Sequence, residues 1–127
     1  MKKLVLDTHT ILWFFNDDDA LSVTAETAIL DPLNQKFVSI ASVWEAAIKI
    51  SLKKLFFDGG TQEFVRLIEE NGFELLPITP EYIFELEKLP YIHRDPFDRI
   101  IIATKVEEMN ILTKDKNFSE YTSSCIW

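Results

Sequence analysis

The sequence of 127 residues is 47% hydrophobic and 27% charged, and its formal net charge is -8, from 21 acidic and 13 basic residues. These values are typical of one globular domain and exclude a disordered chain, which would hold too few apolar residues to form a core. The negative charge also excludes a protein that binds nucleic acid through its overall field, because such proteins are normally basic. We therefore expect one domain over residues 1–127. Any contact with nucleic acid would depend on a local rim of basic residues and on bound cations.

The apolar segments are too short for a membrane protein. The run that follows Met1 is interrupted at Asp7 before it could serve as an export signal, and no other run approaches the length of a membrane span. Cys125 is the only cysteine, so no intramolecular disulfide can form. We expect a protein of the reducing cytoplasm that does not enter a membrane.

Short apolar runs alternate with segments of helical spacing along the chain. The runs predict four strands and a fifth at a sheet edge, at residues 3–6, 37–40, 74–78, 111–113 and 125–127. The segments between them predict six helices, near residues 8–16, 22–30, 42–55, 62–71, 80–89 and 96–103. This α/β alternation indicates an open, mostly parallel sheet of four or five strands, covered by helices on both faces and joined by right-handed crossovers.

Capping residues mark several of the predicted helix ends. Ser22 is a suitable N-cap for the second helix, and Thr79 and Asp95 each precede a proline that fits the first helical position. Asn71-Gly72 predicts a left-handed terminator for the fourth helix. The last helix carries three isoleucines and an alanine in sequence at residues 100–103, so it is expected to pack centrally.

Four acidic residues occur where chemistry is expected in a parallel sheet, since ligands bind at the carboxyl ends of its strands. Asp7 ends the first strand, and Glu45 lies in the first helical turn after the second. Asp98 lies in the first turn of the central helix, and Asp115 follows the fourth strand. We expect these four carboxylates to converge on one pocket and to be its metal-binding and catalytic residues.

Each acid, taken alone, also has a purely structural explanation. Asp7 could cap the helix that follows it, and Asp115 could open a turn. Ser42-x-x-Glu45 matches a capping box, and Asp98 stands three residues after a possible N-cap. Caps alone, however, do not require four separate elements to present a carboxylate at one edge of the sheet. This coincidence favours a functional site.

Several carboxylates cannot all stay ionised in one pocket without a compensating cation, because like charges raise one another's pKa. Hard oxygen ligands without cysteine or clustered histidine indicate Mg²⁺ or Mn²⁺ rather than zinc. One such ion can activate a water and offset charge on a phosphoryl oxygen, and a pair can clamp both reacting oxygens. The predicted chemistry is hydrolysis of a phosphodiester bond, with Asp7 and Asp98 holding the principal ion.

Four segments resemble, in order along the chain, the motifs of the PIN-domain nucleases. They are Leu-Asp-Thr-His-Thr-Ile-Leu-Trp (6–13), Ser-Val-Trp-Glu (42–45), His-Arg-Asp-Pro-Phe-Asp-Arg-Ile-Ile-Ile-Ala-Thr (93–104) and Leu-Thr-Lys-Asp (112–115). The resemblance covers nearly the whole chain. It extends to small stand-alone members such as VapC-like toxins, particularly a subgroup with a His-x-Asp-Pro-Phe-Asp-Arg signature.

The resemblance implies a three-layer α/β/α sandwich and a ribonuclease that depends on Mg²⁺ or Mn²⁺. It also implies the toxin of a toxin-antitoxin pair, with a cognate antitoxin protein as partner and a homodimer as the assembly. The family's acidic quartet corresponds to Asp7, Glu45, Asp98 and Asp115. Asp98 matches because it stands six residues before Thr104, so Asp95 is an extra acid that we expect to be an N-cap.

Other polar residues flank the predicted pocket. Thr8 and Thr113 could fix the carboxylates by hydrogen bonds, although structural turn bonding explains them equally well. Four basic residues could bind substrate phosphates, with ordinary salt bridges as the alternative. They are Arg94, Arg99, Lys49 and Lys114.

Histidines and aromatic residues carry a weaker functional signal. We expect His9 and His93 to be structural hydrogen bonders rather than general bases. Six aromatic residues could stack on nucleobases, but packing in the core or in a dimer is the preferred interpretation. They are Trp13, Phe14, Phe15, Trp44, Phe56 and Phe57.

Three alternative functions share some of these features. An aspartyl phosphatase also has a strand-ending aspartate, but its opening pattern resembles Asp-x-Asp, whereas His9 stands two residues after Asp7. A receiver-type signalling domain would need an aspartate at the end of the third strand, where this chain has Ile78-Thr79-Pro80. A non-catalytic PIN-like module that serves only a protein partner is disfavoured by the intact quartet.

Overall fold

The computed structural model describes residues 1–127 and contains a five-stranded sheet in which every strand pairing is parallel. The strands are β1 (Lys3–Leu6), β2 (Gln35–Ser39), β3 (Glu74–Leu76), β4 (Asn110–Leu112) and β5 (Cys125–Ile126). The helices are α1 (Thr8–Phe15), α2 (Val23–Leu30), α3 (Ile40–Ser51), α4 (Gly60–Glu70), α5 (Pro80–Lys88) and α6 (Pro96–Ala103). Two 3₁₀ segments follow α6 and β4, at Thr104–Glu107 and Lys116–Glu120. The predicted α/β fold with a parallel sheet is confirmed.

The strand order is β3-β2-β1-β4-β5, so β1 lies in the centre between β2 and β4. The chain adds β2 and β3 on one side of β1 and then crosses to add β4 and β5 on the other. A crevice forms at the carboxyl ends of the strands where the direction of winding reverses, which here is between β1 and β4. Asp7 follows β1 and Asp115 follows β4, so two of the four predicted acids lie at this crevice.

The side chains of the strands alternate between two hydrophobic layers. Leu4 and Leu6 of β1 belong to one cluster, which also contains Phe64 and Ile68 of α4. Val5, between them, belongs to a second cluster that contains apolar residues of α6. Since successive residues of a strand face opposite sides of the sheet, the two clusters are the two faces of an α/β/α sandwich.

Most helix ends agree with the sequence prediction because their signals are local. The Ser22 hydroxyl accepts the N–H of Ala25 at 3.0 Å, and the Thr79 hydroxyl accepts the N–H of Tyr82 at 3.3 Å. Gly72 after α4 has a φ of +81°, a left-handed conformation that glycine adopts without strain. None of the helices combines the length and the apolar character that crossing a membrane would require.

The start of α3 differs from the prediction. The helix begins at Ile40 rather than near Ser42, because Ser39, the last residue of β2, accepts the N–H of Ala41 at 3.1 Å and acts as the N-cap. The strand therefore passes into the helix without a loop. The helix also ends at Ser51, earlier than expected, and Lys53 beyond it has a left-handed φ of 58°.

Candidate metal centre

The Asp7 carboxylate is held at the end of β1 by hydrogen bonds from two threonines. As the N-cap of α1, Asp7 accepts the backbone N–H of Thr10 at Oδ1 (2.9 Å), and the Thr10 hydroxyl donates to the same oxygen (2.5 Å). The Thr113 hydroxyl donates to Oδ2 at 2.6 Å. Asp7 is only 4% exposed, and this burial raises its pKa above the usual range although the hydrogen bonds oppose the shift. The carboxylate is fixed in position, and its ionised form is disfavoured unless a cation balances it.

Asp98 lies in the first turn of α6, three residues after the N-cap Asp95. Asp95 Oδ1 accepts the N–H groups of Phe97 and Asp98 at 2.9 and 3.1 Å, as expected for a cap. The pKa of Asp98 is raised to about 8, first by burial and then by the negative charges of nearby acids. In order of effect, these acids are Asp95, Asp7, Glu45 and Asp115. The structure thus brings the other three predicted acids close enough to Asp98 to affect its ionisation.

Glu45 reaches the site from α3, but from a different turn than the sequence suggested. Because Ser39 caps the helix, Glu45 lies in its second turn, and the capping box with Ser42, which was the structural alternative for Glu45, does not form. Glu45 is 5% exposed, and its Oε2 accepts from Lys49 Nζ at 2.8 Å. Its other oxygen, Oε1, is buried and has no hydrogen-bond partner. A buried, unpartnered oxygen costs free energy, so this atom is available to a cation.

Asp115 reaches the site from the segment that follows β4. Its Oδ1 accepts the N–H of Asn117 at 2.9 Å, which caps the second 3₁₀ segment. The backbone N–H of Asp115 donates to Thr113 Oγ1 at 3.0 Å. The hydroxyl of Thr113 therefore joins Asp115 to Asp7. The sequence suggested that Thr113 could fix carboxylates by hydrogen bonds, and its bond to Asp7 Oδ2 is of this kind.

His93 contacts two carboxylates of the quartet at once. Its Nε2 lies 3.0 Å from Asp98 Oδ2 and 3.0 Å from Asp115 Oδ2. One possible ligand atom from each of these three residues lies within 4.8 Å of the others. The sequence indicated a structural hydrogen bonder but did not identify its partners. The signal that could have done so is the spacing His93-x-Asp-x-x-Asp98, which places the histidine just before the helix that carries the acid.

Thr10, and not Thr8, is the threonine of α1 that binds a carboxylate. The Thr8 hydroxyl donates to Ser42 Oγ at 2.9 Å, which joins α1 to α3, and it makes no hydrogen bond to an acid. This contradicts the expectation that Thr8 fixes a ligand. The spacing Asp7-x-x-Thr10 is that of an N-cap and its partner, and it could have revealed Thr10 from the sequence.

The four basic residues near the site differ in what they contact. Arg99 is 5% exposed, and its guanidinium donates to the carbonyls of Leu86, Leu89, Pro90 and His93. Burial and these bonds contradict the expectation that Arg99 binds a substrate phosphate. Lys49 pairs with Glu45, whereas Arg94 and Lys114 are exposed. Only the last two present a free positive charge to solvent.

A cleft opens beside the acids. Its walls are formed by Asp7, His9, Trp13, Lys114 and Asp115. Lys114 Nζ lies 5.8 Å from the centroid of the Trp13 ring, and the His9 ring lies 5.7 Å from the same ring. The acidic centre therefore has an aromatic and basic wall on its open side.

The residues present fit a hard divalent cation such as Mg²⁺ or Mn²⁺. The candidate ligands are carboxylate oxygens, two of the carboxyl groups have raised pKa values, and Glu45 Oε1 lacks a partner. A divalent cation favours the ionised forms and supplies the missing partner. Asp7, Glu45, Asp98 and Asp115 are the side chains that would hold it.

The fold is similar to those of several solved structures. The structure of VapBC2 from Rickettsia felis bound to a DNA fragment from its promoter has a TM-score of 0.73 and 14% sequence identity, covering 98% of this chain and 96% of that one. A toxin-antitoxin complex from Klebsiella pneumoniae and FitAcB from Neisseria gonorrhoeae each have a TM-score of 0.66 and 16% identity, with the same coverages. At these identities the similarity concerns the fold.

No curated protein is similar enough in sequence to count as a match. The family model that describes the PIN domain, however, matches residues 4–123, and this range contains all four acids of the candidate centre. The chain therefore belongs to the PIN domain family.

Proposed function

We propose that this protein is a ribonuclease that depends on Mg²⁺ or Mn²⁺, and that it is the toxin of a toxin-antitoxin pair. PIN domains are generally nucleases, which supports the hydrolysis of nucleic acid. The observation that carries the metal dependence is the cluster of four acids, of which Asp7 and Glu45 are buried, and in which one oxygen of Glu45 has no partner. RNA as the substrate is supported by the resemblance of the four motifs to those of VapC-like toxins.

The surroundings of each acid suggest its part in the reaction. A bound divalent cation supplies the Lewis acidity that activates a water and offsets negative charge on the scissile phosphate. Asp7, oriented by Thr10 and Thr113, and Asp98 are the residues that we assign to the principal ion. Glu45 and Asp115 complete the site or position a second ion and the attacking water.

The open cleft supports the approach of a nucleic acid to this acidic centre. A protein of net charge -8 repels a polyanion over most of its surface, so local positive charge must offset this repulsion. The exposed side chain of Lys114 stands next to Asp115 and supplies such a charge. Trp13 provides an aromatic surface in the same cleft, on which a base can stack.

A stripe of exposed apolar residues on α3 supports a homodimer. Ile40, Trp44 and Ile48 of α3 and its C-cap Leu52 recur at every fourth position and are 37%, 58%, 37% and 58% exposed, respectively. Residues at this spacing lie on one face of a helix, and contiguous apolar faces of this kind mark interaction surfaces. We assign this stripe to contact with a second copy of the chain.

A groove between α1 and α4 supports a protein partner of a different kind. Phe15, Phe57 and Leu67 form its apolar lining, and two acids also line it: Asp58, and Glu63, which is paired with Arg66. This combination suits an apolar segment that carries basic residues. We assign the groove to the antitoxin. We also propose that the protein acts in the cytoplasm, because that is where it would meet its RNA substrate.

The decisive test is cleavage of a labelled RNA by the purified protein with Mg²⁺ or Mn²⁺ and with the metal removed by EDTA. The matched variants are Asp98→Asn, which removes a ligand charge, and Asp19→Asn, which removes an exposed charge outside the site. We expect cleavage by the parent and by Asp19→Asn only when metal is present, and no cleavage by Asp98→Asn.

Each alternative function is distinguished by this experiment together with a labelled DNA of the same sequence and a magnesium titration. Equal cleavage by Asp98→Asn and the parent would show that the acidic quartet is not the active centre. Cleavage of DNA but not of RNA of the same sequence would overturn the substrate. Absence of any cleavage, together with no saturable change at Asp7 and Asp98 in a magnesium titration followed by NMR, would indicate a non-catalytic binding module.

A further inference from the structure

We propose that His93 is a positioning residue of the metal centre and is not itself a metal ligand: its Nε2–H holds Asp115 by a hydrogen bond, and the same nitrogen lies against the Asp98 carboxylate. The inference rests on the proposed metal-dependent function. Its geometric basis is the pair of 3.0 Å distances from His93 Nε2 to Asp98 Oδ2 and Asp115 Oδ2. The imidazole is 13% exposed, so water does not readily replace these contacts.

The other ring nitrogen determines which role His93 can take. The backbone N–H of Asp95 donates to His93 Nδ1 at 3.3 Å, so Nδ1 acts as an acceptor. A neutral imidazole carries one N–H, which must then be on Nε2, facing the two carboxylates. A metal ligand would need a bare Nε2 and would turn an Nδ1–H toward the Asp95 N–H. The backbone of Asp95 therefore favours the donor form.

The ring is held in place by residues outside the acidic cluster. The backbone N–H of His93 donates to the Tyr121 hydroxyl at 2.7 Å, and its carbonyl accepts from Arg99 Nη1 at 3.3 Å. The Tyr121 hydroxyl in turn donates to the carbonyl of Pro90 at 2.7 Å. The ring of Phe118 packs edge-on against the imidazole at 5.8 Å. These contacts fix the orientation of Nε2 without using either carboxylate.

This arrangement explains why one short segment contains so many polar residues. His93 binds Asp115 and contacts Asp98, which is a candidate ligand, and Asp95 caps α6 and donates to the imidazole. Arg99 supports the loop by binding the His93 carbonyl. The His-x-Asp-Pro-Phe-Asp-Arg segment therefore acts as one unit, in which the histidine sets the distance between carboxylates from α6 and from the end of β4.

The His93 Nε2–H group also reduces the repulsion between the two acids, because it lies 3.0 Å from an oxygen of each. The hydrogen bond is to Asp115 Oδ2, and the close contact is with Asp98 Oδ2, so Asp98 Oδ1 faces no donor from His93. Groups that orient metal ligands through hydrogen bonds typically change metal affinity by about 10- to 100-fold when they are removed. His93 should have an effect of this size on Mn²⁺ binding.

The test is calorimetric titration of metal-free parent, His93→Ala and His93→Gln proteins with Mn²⁺. The amide nitrogen of glutamine can occupy the place of Nε2 and donate a hydrogen bond. We expect His93→Ala to bind Mn²⁺ about 10- to 100-fold more weakly, and His93→Gln to recover much of this loss. Phe64→Leu, in the core layer opposite α6, controls for loss of stability and should bind Mn²⁺ like the parent.

Pulsed EPR of the Mn²⁺-loaded parent separates the two roles of His93. We expect no imidazole nitrogen coordinated directly to Mn²⁺. A strong ¹⁴N coupling that disappears in His93→Ala would show that the histidine is a metal ligand and would overturn the proposal. Unchanged Mn²⁺ affinity in His93→Ala would overturn the positioning role while leaving the ribonuclease intact. A parent that binds no Mn²⁺ and cleaves no RNA would overturn both the function and this inference.

Discussion

The Thr113 hydroxyl donates a hydrogen bond to Asp7 Oδ2 at 2.6 Å, although 106 residues separate the two in sequence. The parallel pairing of β1 with β4 brings them together, since the Asp7 N–H donates to the Leu112 carbonyl just beyond the last paired residues. The Thr10 hydroxyl reinforces the junction by approaching the same carbonyl and Asp7 Oδ1. The position of the central acid is thus determined by the pairing of two buried strands.

Replacing Thr113 with valine should lower RNA cleavage about 10- to 100-fold, because the valine keeps the shape but cannot orient the Asp7 carboxylate. The loss of a buried hydrogen bond should also lower the free energy of unfolding by about 1–3 kcal/mol. Steady-state cleavage and urea unfolding measure the two effects. The control is Thr8→Val, which removes the bond to Ser42 and should leave cleavage near the parent level. Equal losses of activity in both variants would assign the effect to general destabilisation.

The stability of the metal-free protein should fall as the pH rises toward 8. The pKa of Asp98 is raised to about 8 in the folded state from an ordinary value of 3.8, so the folded protein binds this proton more tightly than the unfolded chain. Stability from this group is fully present below about pH 4 and is lost as the pH rises through the folded pKa. Burial shifts the pKa of Asp7 in the same direction.

Urea unfolding in EDTA at several pH values tests this directly, with Asp98→Asn as the variant that cannot titrate at this position. We expect the parent to lose more stability than the variant between about pH 5 and about pH 8. Added Mg²⁺ should stabilise the parent more at the higher pH, because the metal competes with the proton for the carboxylate. Parallel pH profiles for the two proteins would contradict the raised pKa.

The sheet and most helix ends could be predicted because their signals are local. Ser22, Thr79 and Asp95 each cap a helix through a residue two or three positions away, which is visible in the sequence. The position of Glu45 at the site was also predicted, but for a partly wrong reason. Its helix begins at Ile40, with Ser39 at the end of the strand as the N-cap, and not near Ser42 as the sequence suggested.

Several residues near the site have partners that no local pattern specifies. Carbonyl groups at the end of α5 and in the α5–α6 connection accept hydrogen bonds from the Arg99 guanidinium and hold it inside the protein. Whether an arginine is buried in this way or exposed depends on tertiary packing. Thr8 binds Ser42 across 34 residues, and His93 contacts Asp115 across 22. Sequence spacing places such residues near a site, but the side chain they contact depends on how the elements dock.

Replacing Lys114 with alanine should weaken RNA binding without abolishing the chemistry. The side chain is exposed in the cleft beside Asp115, and loss of one phosphate contact should reduce the slope of log affinity against log salt concentration by about 1. Fluorescence anisotropy with a labelled RNA, in an Asp98→Asn background that prevents cleavage, measures this across a salt series. Lys88→Ala, which removes an exposed lysine from α5, should leave the slope unchanged. Identical slopes for all three proteins would remove Lys114 from the RNA contact.

A lysine in place of Ile48 should dissociate the proposed homodimer. Ile48 lies in the middle of the exposed stripe on α3. In a symmetric dimer the interface would then bury one lysine charge from each copy of the chain. We expect the dimer dissociation constant to rise by about 30-fold or more, as for residues that dominate an interface. Sedimentation velocity over a concentration series measures it. Leu30→Lys, an equivalent change at an exposed position of α2, should remain as dimeric as the parent. If Leu30→Lys dissociates and Ile48→Lys does not, the dimer contact lies on the α2 surface instead of α3.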